Sequence, residues 1–135
     1  MVCPYCKKDS HVTNSRLQKR ANSVWRRRKC TNCGAIWTSL ERLDYATVWR
    51  VRKGKHLTDF GRETLLISLY EALKHRKSPD IDAKYICDTV IAKLTTKKLV
   101  ELPATLITTT AHDILRRYDK VAAGLYNATH KINNQ

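Results

Sequence analysis

Four cysteines lie near the start of this 135-residue chain in two pairs of identical spacing, Cys3-Pro4-Tyr5-Cys6 and Cys30-Thr31-Asn32-Cys33. A two-residue gap lets a tight turn aim two thiolates at one ion, and two such knuckles supply the tetrahedral four-thiolate shell that structural zinc prefers. Twenty-three residues separate the pairs, so the hairpin between them should be somewhat longer than in the shortest metal ribbons. The competing chemistry is two disulfides in a secreted domain. It would leave Cys87 unpaired, and the motif begins so close to Met1 that no cleavable leader is expected. Zinc held by Cys3, Cys6, Cys30 and Cys33 is the expectation, in a cytoplasmic protein.

A second chemistry-bearing run precedes the second knuckle: Trp25-Arg26-Arg27-Arg28-Lys29. On a strand, four consecutive cations put positive charge on both faces. One face can meet phosphates while the other borders the metal. Arginine's planar fork can also read guanine edges, at roughly 1–3 kcal/mol of discrimination per good pair. Arg16, Lys19 and Arg20 lie on the neighbouring hairpin arm and extend the same surface. Trp25 and Trp37 can pack as ribbon core or stack on bases. A solvated face without a partner is the bland alternative, and nucleic-acid contact explains the run better.

The charge distribution agrees. The net charge is +14. Residues 1–47 hold ten Lys/Arg against three acids, and the remainder holds sixteen against nine. That balance suits polyanionic partners such as nucleic acid or nucleotides. Hydrophobic residues make up 42%, enough for a core, and no apolar run approaches the ~20 residues of a membrane span.

The second half has no Gly-x-x-x-x-Gly-Lys-Ser/Thr loop and no Gly-x-Gly-x-x-Gly. It does carry a basic strand-turn, Arg50-Val51-Arg52-Lys53-Gly54-Lys55, followed by Phe60 and Arg62 at an expected helix start. Cations beside a helix N-terminus can hold phosphates, although an ordinary exposed hairpin explains the same residues. His11, His56, His75, His112 and His130 form no metal-spaced pair. Cys87 reads as a small core residue. No catalytic constellation emerges, and an enzyme is not expected.

The elements that must position these residues fall into an α+β arrangement. Val12–Leu17, Ser23–Arg28 and Ala35–Thr38 alternate as strands, with a turn over Gln18–Asn22. They form a three-stranded ribbon over residues 1–45, too small to fold without its metal. Residues 46–135 read as a mostly helical domain with a short sheet. Thr47–Arg52 is the first strand, 53–55 the turn and His56–Thr58 the return. A helix should run from near Asp59 to about Arg76, with Leu65, Leu66, Leu69 and Leu73 inward. Ser78-Pro79 should cap and open the next, with Ile86, Val90, Ile91 and Leu94 as its stripe. Pro103 should open a third helix burying Leu106, Ile107, Ile114 and Leu115, and Asp119 to about Lys131 a fourth.

Together these motifs resemble the NrdR repressors of bacterial ribonucleotide reductase genes. The ribbon carries Cys3-Pro4-Tyr5-Cys6, Ser15-Arg16-Leu17, Ser23-Val24, Arg26-Arg27-Arg28, Cys30, Cys33, Trp37-Thr38 and Glu41. The second half carries Phe60, Leu65, Ala72-Leu73, Arg76, Glu101-Leu102-Pro103 and Asp119-Lys120-Val121-Ala122. The resemblance implies a DNA-binding zinc ribbon joined to an ATP-cone. In that family ATP or dATP sets the oligomeric state, and with it the binding of paired double-stranded operator sites near the nucleoid. It implies DNA contacts at Arg16, Arg26, Arg27 and Arg28, to which the basic surface adds Lys19, Arg20 and Lys29. It places Arg52 where the cone has a phosphate-binding lysine. The nucleotide set is then Arg50, Val51, Arg52, Lys53, Lys55, Phe60, Arg62 and Leu65. Three departures stand in the cone. Thr64 replaces a lysine for which Arg62 is a substitute, Ala123 replaces a tyrosine, and Leu125–His130 replaces an Arg-Phe-Ala-Ser-Val-Tyr stretch.

Overall fold

The computed structural model describes residues 1–131, and its internal contacts divide the chain between Leu43 and Asp44. The last four residues of the expected second domain lie outside the described residues.

The first unit is a three-stranded antiparallel sheet of order β1-β2-β3, formed by Ser10–Gln18, Ser23–Cys30 and Ile36–Arg42. Each strand is longer than its expected segment, although β3 starts one residue later than Ala35, because the alternation is continued by polar residues that a pleat tolerates on a solvated face. Thr13 is the extra residue of a bulge, since pairing jumps from Val12↔Arg28 to Asn14↔Arg27. Among the described residues of this unit only Cys3, Ser23 and Cys30 are buried. The strands pack against nothing of their own, so hydrophobic burial cannot be what holds the sheet.

The second unit opens on a correction. Thr47–Arg52 is not one strand. Asp44 Oδ1 accepts the Ala46 N–H at 3.1 Å and starts a single 3-10 turn, Tyr45–Thr47, after which β4 begins at Arg50. The turn swings Tyr45 and Trp49 inward, where their rings stack at 4.8 Å and Phe60 meets Trp49 edge-on at 5.1 Å. β5 (His56–Asp59) returns antiparallel to β4 (Arg50–Lys53) around Gly54, whose φ of +59° the turn requires. Asp59 is therefore the end of a strand, and helix α1 spans Arg62–Leu73, three residues later at its start and three earlier at its end than the apolar spacing suggested.

Helix α2 is Pro79–Thr95, with proline in the first turn and acids Asp80 and Asp82 beside it, although Ser78 makes no side-chain capping bond. Glu101–Pro103 is a strand, β6, where none was expected. It pairs parallel to β4, Val51 opposite Leu102, and gives the sheet order β5-β4-β6. Pro103 then serves as the N-cap of α3 (Ala104–Tyr118), and α4 is Lys120–His130. The missed strand is three residues long, and its partner lies far back in the chain.

The core lies among the helices and under the sheet: Leu69, Leu73, Ile86, Val90, Leu94, Leu102 and Leu115 are fully buried, with Cys87 among them. Leu66, Leu106, Ile107 and Ile114 are only partly buried at its margin. Arg76 ties helix ends together. Its guanidinium donates to Asp82 at 2.6 Å and Asp119 at 2.8 Å and lies 4.7 Å over the Tyr118 ring. Asp119 also caps α4, accepting the Ala122 N–H at 3.0 Å, and meets His75 Nε2 at 3.0 Å.

Candidate functional site

The cysteine knuckles are built alike. In the first, the Cys3 N–H donates to the Lys8 carbonyl at 2.8 Å. In the second, the Cys30 N–H donates to the Ala35 carbonyl at 2.9 Å. The residue after the second cysteine of each is left-handed, Lys7 at φ 60° and Gly34 at φ 73°. Matching turns thus aim both pairs at one point, and all four Sγ atoms lie within 4.8 Å of one another.

The sulfurs stand 3.6 Å apart for Cys3 and Cys33 and 3.5 Å for Cys6 and Cys30. Four zinc–sulfur bonds of ~2.3 Å in a tetrahedron would put sulfurs about 3.8 Å apart, whereas a disulfide needs about 2.05 Å. The spacing is that of metal ligands. Backbone N–H groups of Asn32 and Cys33 point at the Cys30 sulfur at 3.3 and 3.4 Å. The Cys6 thiol is pulled down to about 6, first by the Lys8 backbone N–H. Cys33 moves the other way, to about 12. The Ala35 backbone N–H lowers it, but desolvation and the sulfurs of Cys3, Cys30 and Cys6 together raise it. Four thiolates this close repel, and a divalent cation is what allows them to coexist. The donor set fits structural zinc.

The register of the ribbon sorts its cations. Paired residues share a face, so Arg16, Trp25 and Leu40 lie together, followed by Arg27 with Thr38 and Lys29 with Ile36. Arg26 and Arg28 lie on the opposite face with Ser39, Glu41 and Trp37. Arg26 bonds Ser15 Oγ at 3.2 Å and pairs with Glu41 at 3.2 Å, and Arg28 donates to Ser39 Oγ at 2.9 Å. On the first face the Arg27 guanidinium donates to the Thr38 hydroxyl at 3.4 Å. Among the described residues, Arg16, Arg27 and Lys29 form no salt bridge. Lys19 and Arg20 are exposed in the β1–β2 turn. The two tryptophans sit half-buried on opposite faces, so they build no common ribbon core.

In the second unit, Val51, Phe60 and Leu65 come together on a cavity of about 320 Å³. The cations expected beside them do not join them. Arg50 and Arg52 alternate to the other face of β4, where Arg50 pairs with Asp59 at 3.0 Å and Arg52 grips Glu101 with two bonds of 2.6 and 2.8 Å. Arg62 pairs with Asp88 at 2.8 Å, largely out of solvent. Lys53 and Lys55 are exposed around the hairpin turn. Lining outside the expected nucleotide set includes helix residues: Thr64 and Ser68 of α1, Thr108 of α3, Tyr126 and His130 of α4. Helical spacing places all five, but nothing in their types marks them as a set. Burial pushes the Tyr126 hydroxyl up to about 12.

A four-cysteine ribbon carrying a run of cations, joined to an α+β unit with a cavity under its sheet, defines a two-part metal-ribbon protein. Residues 1–41 match the family described as "Transcriptional repressor NrdR-like, N-terminal domain". The chain is 29% identical to the transcriptional repressor NrdR of Fervidobacterium nodosum over 132 residues, which cover 97% of this chain and 86% of that one. It is 30% identical to NrdR 2 of Paramagnetospirillum magneticum with the same coverage. It is 31% identical to NrdR of Roseiflexus sp., covering 90% and 81%. The chain belongs to the NrdR family of transcriptional repressors. Among the described residues no helix is long and apolar enough to cross a membrane.

Proposed function

We propose that this chain is a zinc-dependent regulator, not an enzyme, which represses transcription by binding operator DNA, with ribonucleotide reductase genes as its targets. Residues 1–43 are the DNA-binding ribbon. The second unit is an ATP-cone whose cavity takes ATP or dATP, and occupancy sets how copies assemble and how their ribbons are spaced. A nucleotide acts this way only through its differential affinity for the two assemblies. The observation that carries the reading is the sorting of cations on the ribbon: Arg16, Arg27 and Lys29 share a face with Trp25 and, among the described residues, form no salt bridge, whereas Arg26 on the other face is paired with Glu41. Arg26 and Arg28 are the supporting side of that sheet, and Lys19 and Arg20 extend it at the turn.

The test is a salt titration of operator-DNA binding by zinc-loaded protein with and without ATP or dATP, alongside its mass in solution. Arg27→Ala should weaken binding and reduce the slope of log affinity against log salt by about 0.9. Arg26→Ala, which frees Glu41, should leave the slope nearly unchanged. Equal effects of the two substitutions would remove the one-face reading. Distinct masses with ATP and dATP support the sensor.

A second reading keeps the DNA-binding ribbon but makes the cone an assembly module without a nucleotide. It is favoured by the pairing of Arg50, Arg52 and Arg62 with carboxylates. One unchanging mass and no nucleotide bound would select it.

A further inference from the structure

The cavity in the second unit has a feature that the charge-rich composition of the chain does not lead one to expect: among the described residues, its lining includes neither lysine nor arginine. On α1 and α3 its polar groups are the hydroxyls of Thr64, Ser68 and Thr108. On β5 it has Thr58 and Asp59, the latter already engaged by Arg50 at 3.0 Å. On α4 it has Tyr126, whose hydroxyl stays neutral at any physiological pH, and His130. Of these groups only His130 can acquire a positive charge.

The local geometry says where that charge would appear. His130 Nδ1 lies 2.9 Å from the Tyr126 carbonyl oxygen. A carbonyl only accepts, so Nδ1 carries the hydrogen and Nε2 is the nitrogen left with a lone pair. The ring is held in plane by stacking on Tyr126, 3.9 Å between centroids and 20° apart. A neutral Nε2 offers a phosphate oxygen only lone-pair repulsion. A protonated one offers an N–H and a charge. His130 also ends α4, where the helix dipole favours a cation.

We infer that His130 is the phosphate-binding residue of this cavity, and that a phosphate-bearing ligand is captured there together with one proton on Nε2. The inference rests on the reading of the cavity as a nucleotide site, and adds to it which side chain supplies the charge. No redox or covalent step is involved; the proton comes from solvent and returns there on release.

The test is the affinity of the full, zinc-loaded chain for dATP between pH 6 and pH 8, for the wild type, His130→Tyr and His130→Gln. The tyrosine variant keeps the stacking and the glutamine variant keeps a polar group, so one can fail to fold without losing the experiment. The ligand's own titration is common to all three proteins. The expected result is that the wild type gains about tenfold more affinity than either variant as the pH falls. The His130 ring protons, followed by NMR, should titrate at higher pH with dATP present. The same pH dependence in all three proteins, or a ring titration unmoved by dATP, would overturn the role of His130 and leave the nucleotide site standing. No dATP binding at any pH would overturn both.

Discussion

The two units of this chain reach stability by unlike means, and their charges are arranged to match. The ribbon buries three residues and relies on four sulfurs around one point. The second unit encloses a continuous hydrophobic core and ties helix ends together through Arg76. In the ribbon, among the described residues, Arg26 is paired with Glu41 while Arg16 and Arg27 form no salt bridge. In the second unit, Arg50, Arg52, Arg62 and Arg76 are each matched to a carboxylate. A cation paired in this way positions the fold; one left unpaired is available to a polyanion. The difference shows that net charge alone says little about where a partner binds, because part of the positive charge is already engaged internally.

Removing the metal should separate the units most sharply. A structural zinc site contributes about 10–16 kcal/mol to folding a small domain. A strong chelator, or Cys6→Ser, should therefore unfold residues 1–43 and abolish DNA binding while the second unit keeps its helical circular dichroism. Intact DNA binding in chelator would break the comparison at its root. Leu73→Ala strikes the other mode. It should cost the second unit about 2–5 kcal/mol and lower its melting temperature, with ribbon zinc affinity unchanged.

Acid should distinguish the units again. The Asp119 carboxyl is held well below the ordinary range, first by the Ala122 N–H and then by Arg76 and His75. A depressed folded-state value stabilises above the unfolded carboxylate pKa of ~4 and is lost as pH falls through the folded value. The second unit should lose stability below about pH 4.5, and Asp119→Asn should flatten that acid limb in urea titrations. Asp119→Ala should cost about 1 kcal/mol even at neutral pH through the lost cap. The smallest effect is expected in the ribbon. Lys7 occupies the left-handed position that Gly34 fills in the other knuckle, so Lys7→Gly should stabilise the zinc-bound form by about 0.5–1 kcal/mol. Chelator competition would detect it, and a loss of zinc affinity would show that the two knuckles are not equivalent.

Much of this was legible in the chain. Cysteine spacing gives a metal site because ligand geometry is local, and strand alternation gives a ribbon because the pleat has a fixed period. The helix stripes around Leu69, Ile86 and Leu94 could be read for the same reason. β6 could not. Glu101–Pro103 is a strand only because β4 lies beside it, and three residues carry no periodicity. The 3-10 turn at Tyr45 was hidden by a sequence that alternates as a strand does, until Asp44 and the Trp49 packing outweighed it.

The candidate nucleotide residues divide along the same line. The sequence by itself determined the four ligands, the basic run and the two-part organisation, since each is written in neighbouring residues. Tertiary structure alone decided which cations remain unpaired. It turned Arg50 and Arg52 to the acid-bearing face of their sheet, set Arg62 against Asp88, and brought Thr64, Thr108 and His130 from three helices to one cavity. The reason is physical: the partner that neutralises a charge, or the neighbour that completes a cavity, is fixed by packing between distant segments.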